Sequence, residues 1–201
     1  MREYRTPNPT AVLIVILVNV VVFILTQLSD NLEYQLDLQP AYFTEEPWTI
    51  VTSMFVHAGF FHILGNMITL YFFGTYLTML VGEVKFLIIY FVGGLAGGAL
   101  FMIYALYAPW ESELARYAGV VGASGAVFAV GAALAVLRPN IKALVYFIIP
   151  VPLWIVVLGS FLLLSLVPNV AWQAHLGGLV VGLIAGFLLK RRPRERDRYL
   201  L

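Results

Sequence analysis

The chain has 201 residues, of which 61% are apolar and 11% charged, and its mean hydropathy is +0.90. Soluble domains average about 45–50% apolar and 25% charged residues, so the composition excludes an ordinary soluble domain and indicates a polytopic membrane protein. The absence of cysteine excludes disulfides, a cysteine nucleophile and thiolate metal sites, while the net charge of +1 says less than where the charges lie.

The N-terminal stretch from Met1 to Asn8 is short and basic. It precedes an apolar run without a small-residue cleavage site, which is read as a retained first span from about Thr10 to Leu28 rather than a signal peptide. Asn19 lies in the middle of that span, a place for a helix–helix hydrogen bond. Residues 29–60 carry Asp30, Glu33, Asp37, Glu45 and Glu46 but no Lys or Arg, and are interrupted by Pro40 and Pro47. Trp48, Phe55, Phe60 and Phe61 suit a loop lying in the membrane interface. A second span is expected from Phe61 to Val81, then a tight turn over Gly82-Glu83-Val84-Lys85, then a third span from Phe86 to Tyr107. Gly93, Gly94, Gly97 and Gly98 form two interleaved pairs at a spacing of four, a pattern for close helix packing. After a loop with Glu111, Glu113 and Arg116, a fourth span is expected over Gly119–Leu137, ended by Arg138-Pro139-Asn140. The fifth apolar segment, Ala143–Leu166, is broken by Pro150 and Pro152, so its spanning part is expected from near Val151. A sixth span, Trp172–Leu189, precedes a basic tail from Lys190 to Leu201.

Six spans put both ends of the chain on one side. That side receives eleven of the twelve Lys and Arg residues, and only Arg116 falls on the other. The positive-inside rule then places both termini in the cytoplasm, in one membrane domain covering residues 1–201.

The polar residues within the spans share one depth. Ser124, flanked by Gly122 and Gly125, lies five residues into the expected fourth span, roughly 7–8 Å deep at 1.5 Å per residue. His175 lies three residues into the sixth span, and His62 and Asn66 occupy one face near the top of the second. A glycine-flanked serine serves either close helix packing or a nucleophile that needs room for a substrate backbone. A single histidine in a span can be an interhelical hydrogen-bonding group, and a serine can bond back to its own helix, as expected of Ser160 and Ser165. Taken together, ionisable residues at one intramembrane depth are candidates for function. The chemistry that fits is acyl transfer, with Ser124 as nucleophile and His175 as its base. No Asp or Glu lies in any span, so the pair is a dyad. His62, Asn66 and the Ser124 backbone N–H are candidate donors to the oxyanion. Phe128, at i+4 from Ser124, can pack on the His175 ring or serve the core. Aspartyl chemistry is excluded, because Asp30, Asp37 and Asp197 all lie outside the spans. A zinc site from His57, His62 and His175 would lack a carboxylate, so no metal is expected. Ala174, Gly178, Gly182 and Gly186 give the sixth span a smooth face, which can draw it onto the small face of the fourth, Gly122, Gly125 and Ala129.

At these residues the sequence resembles the rhomboid intramembrane serine proteases, over about Pro47 to Gly186. The family's Gly-x-Ser-Gly is matched by Gly122 to Gly125, its His followed by small residues by Ala174-His175-Leu176-Gly177-Gly178, and its His-x-x-x-Asn by His62 and Asn66. His57 matches a further family histidine, and the resemblance implies that it supports the first loop by hydrogen bonds. The family's aromatic after the nucleophile falls on Phe128. Where the family often has Trp-Arg in the first loop, this chain has Trp48-Thr49. The resemblance implies an all-α bundle of six transmembrane helices in the minimal form common in prokaryotes. It further implies cleavage of substrate transmembrane segments near their outer end, in the cell membrane, with the active site open to the outside. Transmembrane proteins and membrane lipids are the expected partners, and no cofactor or nucleic acid is expected. Two rival readings are a rhomboid-like protein that binds unstable helices without cutting them and a small transporter, which would want polar groups and broken helices nearer mid-membrane.

Overall fold

The computed structural model describes residues 9–107, 117–145 and 148–190, with the side chain of Asp30 excepted. Arg2, Arg5, the loop bearing Glu111, Glu113 and Arg116, and the tail beyond Lys190 lie outside the described residues. The described chain is mostly helical. Its elements are α1 (Thr10–Gln27), α2 (Asp30–Leu36), a 3-10 turn at Pro40–Tyr42, α3 (Thr49–Thr52), α4 (Phe60–Val81), α5 (Glu83–Tyr107), α6 (Ser124–Leu137), β1 (Lys142–Val145), β2 (Ile149–Pro152), α7 (Leu153–Ser165) and α8 (Trp172–Leu189). Four of these, α1, α4, α5 and α8, are long and apolar enough to cross a membrane. α6 and α7 are apolar but shorter.

Three boundaries depart from expectation. Only Gly82, at φ 88°, separates α4 from α5, because a residue of positive φ suffices to reverse the chain and Glu83 then starts the next helix. The fourth segment is not helical from Gly119. Val120 pairs as an isolated antiparallel bridge with Leu38, and Gly122 takes φ +127°, so residues 119–122 are not helical, Ala123 turns the chain, and α6 begins at Ser124 itself. The depth reckoned at helical rise therefore does not apply, because the chain before Ser124 does not rise as a helix. The fifth segment begins as a two-stranded antiparallel hairpin, β1 with β2, so the described fold is not purely helical. Pro150 and Pro152, which cannot donate to a helix, fit this strand.

α6 forms the centre. Eleven of its fourteen residues are buried, among α4, α5, α7 and α8. The contact between α6 and α8 is made by glycine. A Cβ at Gly178 would overlap the Gly125 carbonyl, one at Gly182 would overlap the Ala129 carbonyl, and one at Gly186 would lie 3.0 Å from the Ala133 carbonyl. The interleaved glycines of α5 serve two neighbours. Gly93 and Gly97 abut Ala129 and Ala174, whereas Gly94 and Gly98 receive Met54 and the side chains of Ile50 and Leu38. One helix thus holds the two central helices on one face and the first loop on the next. α1 lacks a side-chain cap of its own. Its Ala11 N–H instead donates to the Glu83 carboxylate at 3.0 Å. Asn19 is buried and donates within its own helix to the Val15 carbonyl at 2.8 Å. Among the described residues, neither its Oδ1 nor the buried Tyr90 hydroxyl of α5 makes a well-formed hydrogen bond.

Candidate active site

Ser124 is the first residue of α6, at the point where extended chain turns into helix. The segment before it is held on three sides. Val120 exchanges backbone hydrogen bonds with Leu38, at 3.0 and 3.1 Å, and the Gly122 N–H donates to the Ser53 carbonyl at 2.9 Å. The Ala123 N–H donates to His57 Nε2 at 3.5 Å. His57 is fully buried, and its Nδ1 lies 3.3 Å from the Phe55 carbonyl. Accepting at Nε2 and donating at Nδ1 requires the neutral ring with its proton on Nδ1. Burial above all, and then the neighbouring His62, push its pKa down to about 4, against the raising effect of the Phe55 carbonyl.

Gly122 is needed twice. Its φ lies where L side chains are strained, and a Cβ there would stand 2.8 Å from the His62 ring and 3.6 Å from Ser124 Oγ. The His62 ring in turn meets the His57 ring edge-on, with centroids 4.9 Å apart. Asn66, one turn below, is buried, and its Nδ2 donates to the His62 carbonyl at 2.9 Å.

α8 brings in His175. Its Nε2 lies 2.8 Å from Ser124 Oγ, across 51 positions of sequence. For the hydroxyl to donate, Nε2 must be bare and the ring proton must sit on Nδ1. That Nδ1 is buried and has no hydrogen-bond partner among the described residues. The ring is backed instead by Phe128, whose centroid is 4.8 Å away at an interplanar angle of 39°. Phe128 is itself met edge-on by Phe161 of α7.

Ser124, His175, His62, Asn66, Gly122 and Phe128 all line one cavity of about 1010 Å³, bounded by α4, α5, α6, α7 and the start of α8. His57 lies behind it and is not part of the lining. Ser165 bonds back to the Phe161 carbonyl at 2.7 Å, as expected, whereas Ser160 faces the cavity. Gln173, Trp172 and Tyr104 also line it, and Trp172 and Tyr104 meet edge-on at 5.5 Å. Gln173 is a buried polar residue in the first turn of α8. Its signal in the sequence was its place two residues before His175. Behind the extended segment, Gly119 is pressed against the Asp37 carboxylate. Burial first, then Glu33 and Glu46, raise the pKa of Asp37, opposed by the hydrogen bond from Gln39. No group of three or more metal-binding side chains is found among the described residues. A hydroxyl bonded to an imidazole, beside a helix N-terminus and inside a mostly apolar cavity that also holds His62 and Asn66, has the elements of nucleophilic acyl transfer.

The model of the rhomboid domain matches residues 44–192. Rhomboid protein 1, mitochondrial, of Saccharomyces cerevisiae is 33% identical, over 98% of this chain and 58% of its own length. RHOMBOID-like protein 1 of Arabidopsis thaliana is 33% identical, over 79% of this chain and 39% of its own. RHOMBOID-like protein 12, mitochondrial, of the same plant is 36% identical, over 68% and 45%. The chain thus spans between about two fifths and three fifths of the length of these relatives. With a domain match over most of its length, this integral membrane protein belongs to the rhomboid family.

Proposed function

We propose that the chain is an intramembrane serine endopeptidase that cuts transmembrane segments of other membrane proteins near their outer end. Members of the family are in general intramembrane serine proteases. The observation that carries the reading for this chain is the 2.8 Å contact between Ser124 Oγ and His175 Nε2 inside a cavity large enough for a stretch of peptide.

In this reading Ser124 Oγ attacks the scissile carbonyl carbon while its proton passes to His175 Nε2. The negative charge formed on the carbonyl oxygen is met by the Ser124 N–H, which as a first-turn donor has no acceptor within its own helix, and by side-chain donors on His62 and Asn66. His57 and Gly122 support the turn before Ser124, and Phe128 holds the His175 ring. The C–N bond breaks as His175 returns its proton to the departing amine. A water in the cavity then gives its proton to His175 and attacks the acyl-serine, which releases the new carboxylate and restores the hydroxyl. No metal or cofactor takes part. A substrate helix must unwind locally to offer a carbonyl, so segments with small or helix-breaking residues at that depth are preferred.

The proposed setting is one membrane domain with six spans, both termini in the cytoplasm and the cavity open to the outside of the cell membrane. α6 and α7 complete their crossings through the nonhelical segments that flank them. The mitochondrial names of two relatives stay with those proteins.

The test is cleavage of a reporter transmembrane protein in proteoliposomes. Wild type is expected to cut near the outer end of the reporter's span, with Ser124→Ala and His175→Ala each slowed about 10⁴-fold or more. Persistent cutting by Ser124→Ala would overturn the assignment. Reporter binding without cutting, with no labelling of Ser124 by a serine-reactive fluorophosphonate, would instead mark a helix-binding protein.

A further inference from the structure

α7 has 13 residues, about 20 Å of helix, against about 30 Å of hydrocarbon. Its apolar sequence does not end at Leu153, however, but runs back through the hairpin β1–β2. The hairpin projects apolar side chains that no described residue covers. Leu144 is 58% exposed, Ile148 78% and Ile149 55%.

The backbone of the hairpin has two unlike edges. The Leu153 N–H donates to the Ile141 carbonyl at 2.9 Å, and Ala143 faces Val151 while Val145 faces Ile149. In an antiparallel pair the inward N–H groups alternate along each strand, so those of residues 149, 151 and 153 point at β1. The outward positions between them are Pro150 and Pro152, which have no N–H. The outer edge of β2 therefore carries no donor at all. The β1 edge keeps its outward N–H groups at Lys142 and Leu144, and it follows the polar turn Arg138-Pro139-Asn140.

We propose that this hairpin lies in the lipid leaflet opposite the cavity mouth, with the donor-free edge of β2 in hydrocarbon and the β1 edge, Lys142 and Arg138 at the headgroups. The occupant of its exposed apolar face is lipid. An ordinary strand edge in hydrocarbon would leave both N–H and C=O groups unpaired, and the two prolines remove the N–H groups on one side only, leaving carbonyls alone along that edge. Lys142 and Arg138 reach phosphate from the other side. A second strand from a partner protein would want the donors that β2 lacks. Because β2 runs without a break into α7, the hairpin fixes the height at which Val156, Val157, Ser160 and Leu164 form the cavity wall.

The chain has no cysteine, so single cysteines can be placed in it without further change. Ile148→Cys, Ile149→Cys and Leu144→Cys, each carrying a small fluorophore, are reconstituted in vesicles of phosphatidylcholine and phosphatidylglycerol. Leu17→Cys on the exposed face of α1 and Glu45→Cys in the first loop serve as lipid and water references. Labels at 148 and 149 are expected to be quenched by doxyl groups on the acyl chains as strongly as the label at 17. Aqueous iodide should quench them several-fold less than the label at 45, whereas a label at Lys142→Cys should remain open to iodide. Iodide quenching at 148 and 149 equal to that at 45 would overturn the proposal. So would protection from iodide without doxyl quenching that grows with the protein-to-lipid ratio, which would mean that a second copy covers the hairpin. The outcome is independent of whether the protein cuts peptides.

Discussion

His57 reaches neither the cavity nor the Ser124 hydroxyl, yet it holds the peptide on which Ser124 is mounted. Its ring can accept from Ala123 only while Nε2 is bare. Protonation would set a second donor against that N–H and a positive charge beside His62. The folded pKa, about 4, lies below the ordinary value near 6.5, so between the two the unfolded chain binds the extra proton. The stability that His57 contributes is therefore complete above about pH 6.5 and is lost as the pH falls towards 4, at most about 3 kcal/mol. His57→Asn keeps one acceptor for Ala123 and one donor for the Phe55 carbonyl, and it does not titrate. Thermal unfolding in detergent from pH 7.5 to 4.5 is expected to show a Tm that falls with pH in wild type and falls less in His57→Asn. Parallel curves would remove His57 as the source. The sequence could register this residue only through its spacing from His62 and its likeness to a family position. The bond to Ala123 joins positions 66 apart and has no local pattern. The same holds for the Leu38–Val120 bridge, which keeps the chain at Val120 out of the helix where a reading by apolar runs turned it into helix.

At the scale of elements, the glycines of α8 were legible because a four-residue period of small side chains is a property of the sequence alone. Their partner on α6 was legible for the same reason. Apolar run length served well for the four long helices and poorly for the two short ones, where a strand bridge, a hairpin and prolines stand in place of helix. The energetic weight of the glycine face can be read from one substitution and its control. A Cβ at Gly178 would overlap the Gly125 backbone, which cannot swing aside as a side chain can, so the two helices must part. Gly159, on α7, has nothing within 4 Å of the same atom. Gly178→Ala is expected to lower stability by about 1–3 kcal/mol, and Gly159→Ala to be neutral or slightly stabilising. Gly178 lies one turn after His175, so parting the helices also lengthens the Ser124–His175 contact. Labelling by a fluorophosphonate should then slow in Gly178→Ala even at temperatures where the protein stays folded. Equal Tm values for the two variants would mean that the α6–α8 interface tolerates a methyl group.

At the scale of the whole molecule, charge and helix direction have to agree. Among the described residues, Lys85 opens α5, Arg138 and Lys142 follow α6, and Lys190 follows α8, whereas Glu33, Asp37, Glu45 and Glu46 belong to the loop between α1 and α4. If each of the six apolar segments crosses once, the first group falls on one face of the membrane and the second on the other, and the positive-inside rule makes the first face cytoplasmic. The count depends on α6 and α7, which together carry the chain from Ser124 to Ser165 and are both too short to cross as helix alone. The nonhelical chain at 119–122 and the β1–β2 hairpin are what would make up the difference. Should α7 turn back before crossing, Lys190 would change sides relative to Lys142; should α6 turn back, Lys142 and Lys190 would both change sides relative to Lys85 and both would label in intact cells. Single cysteines at 45, 142 and 190, exposed to a membrane-impermeant maleimide, decide between these cases. Labelling at 45 is expected in intact cells, and labelling at 142 and 190 only after permeabilisation. A label at 190 that reacts in intact cells while 142 stays silent would break the six-span count. It would also separate the basic end of α8 from the basic end of α6, although the glycine contact between the two helices makes them run side by side.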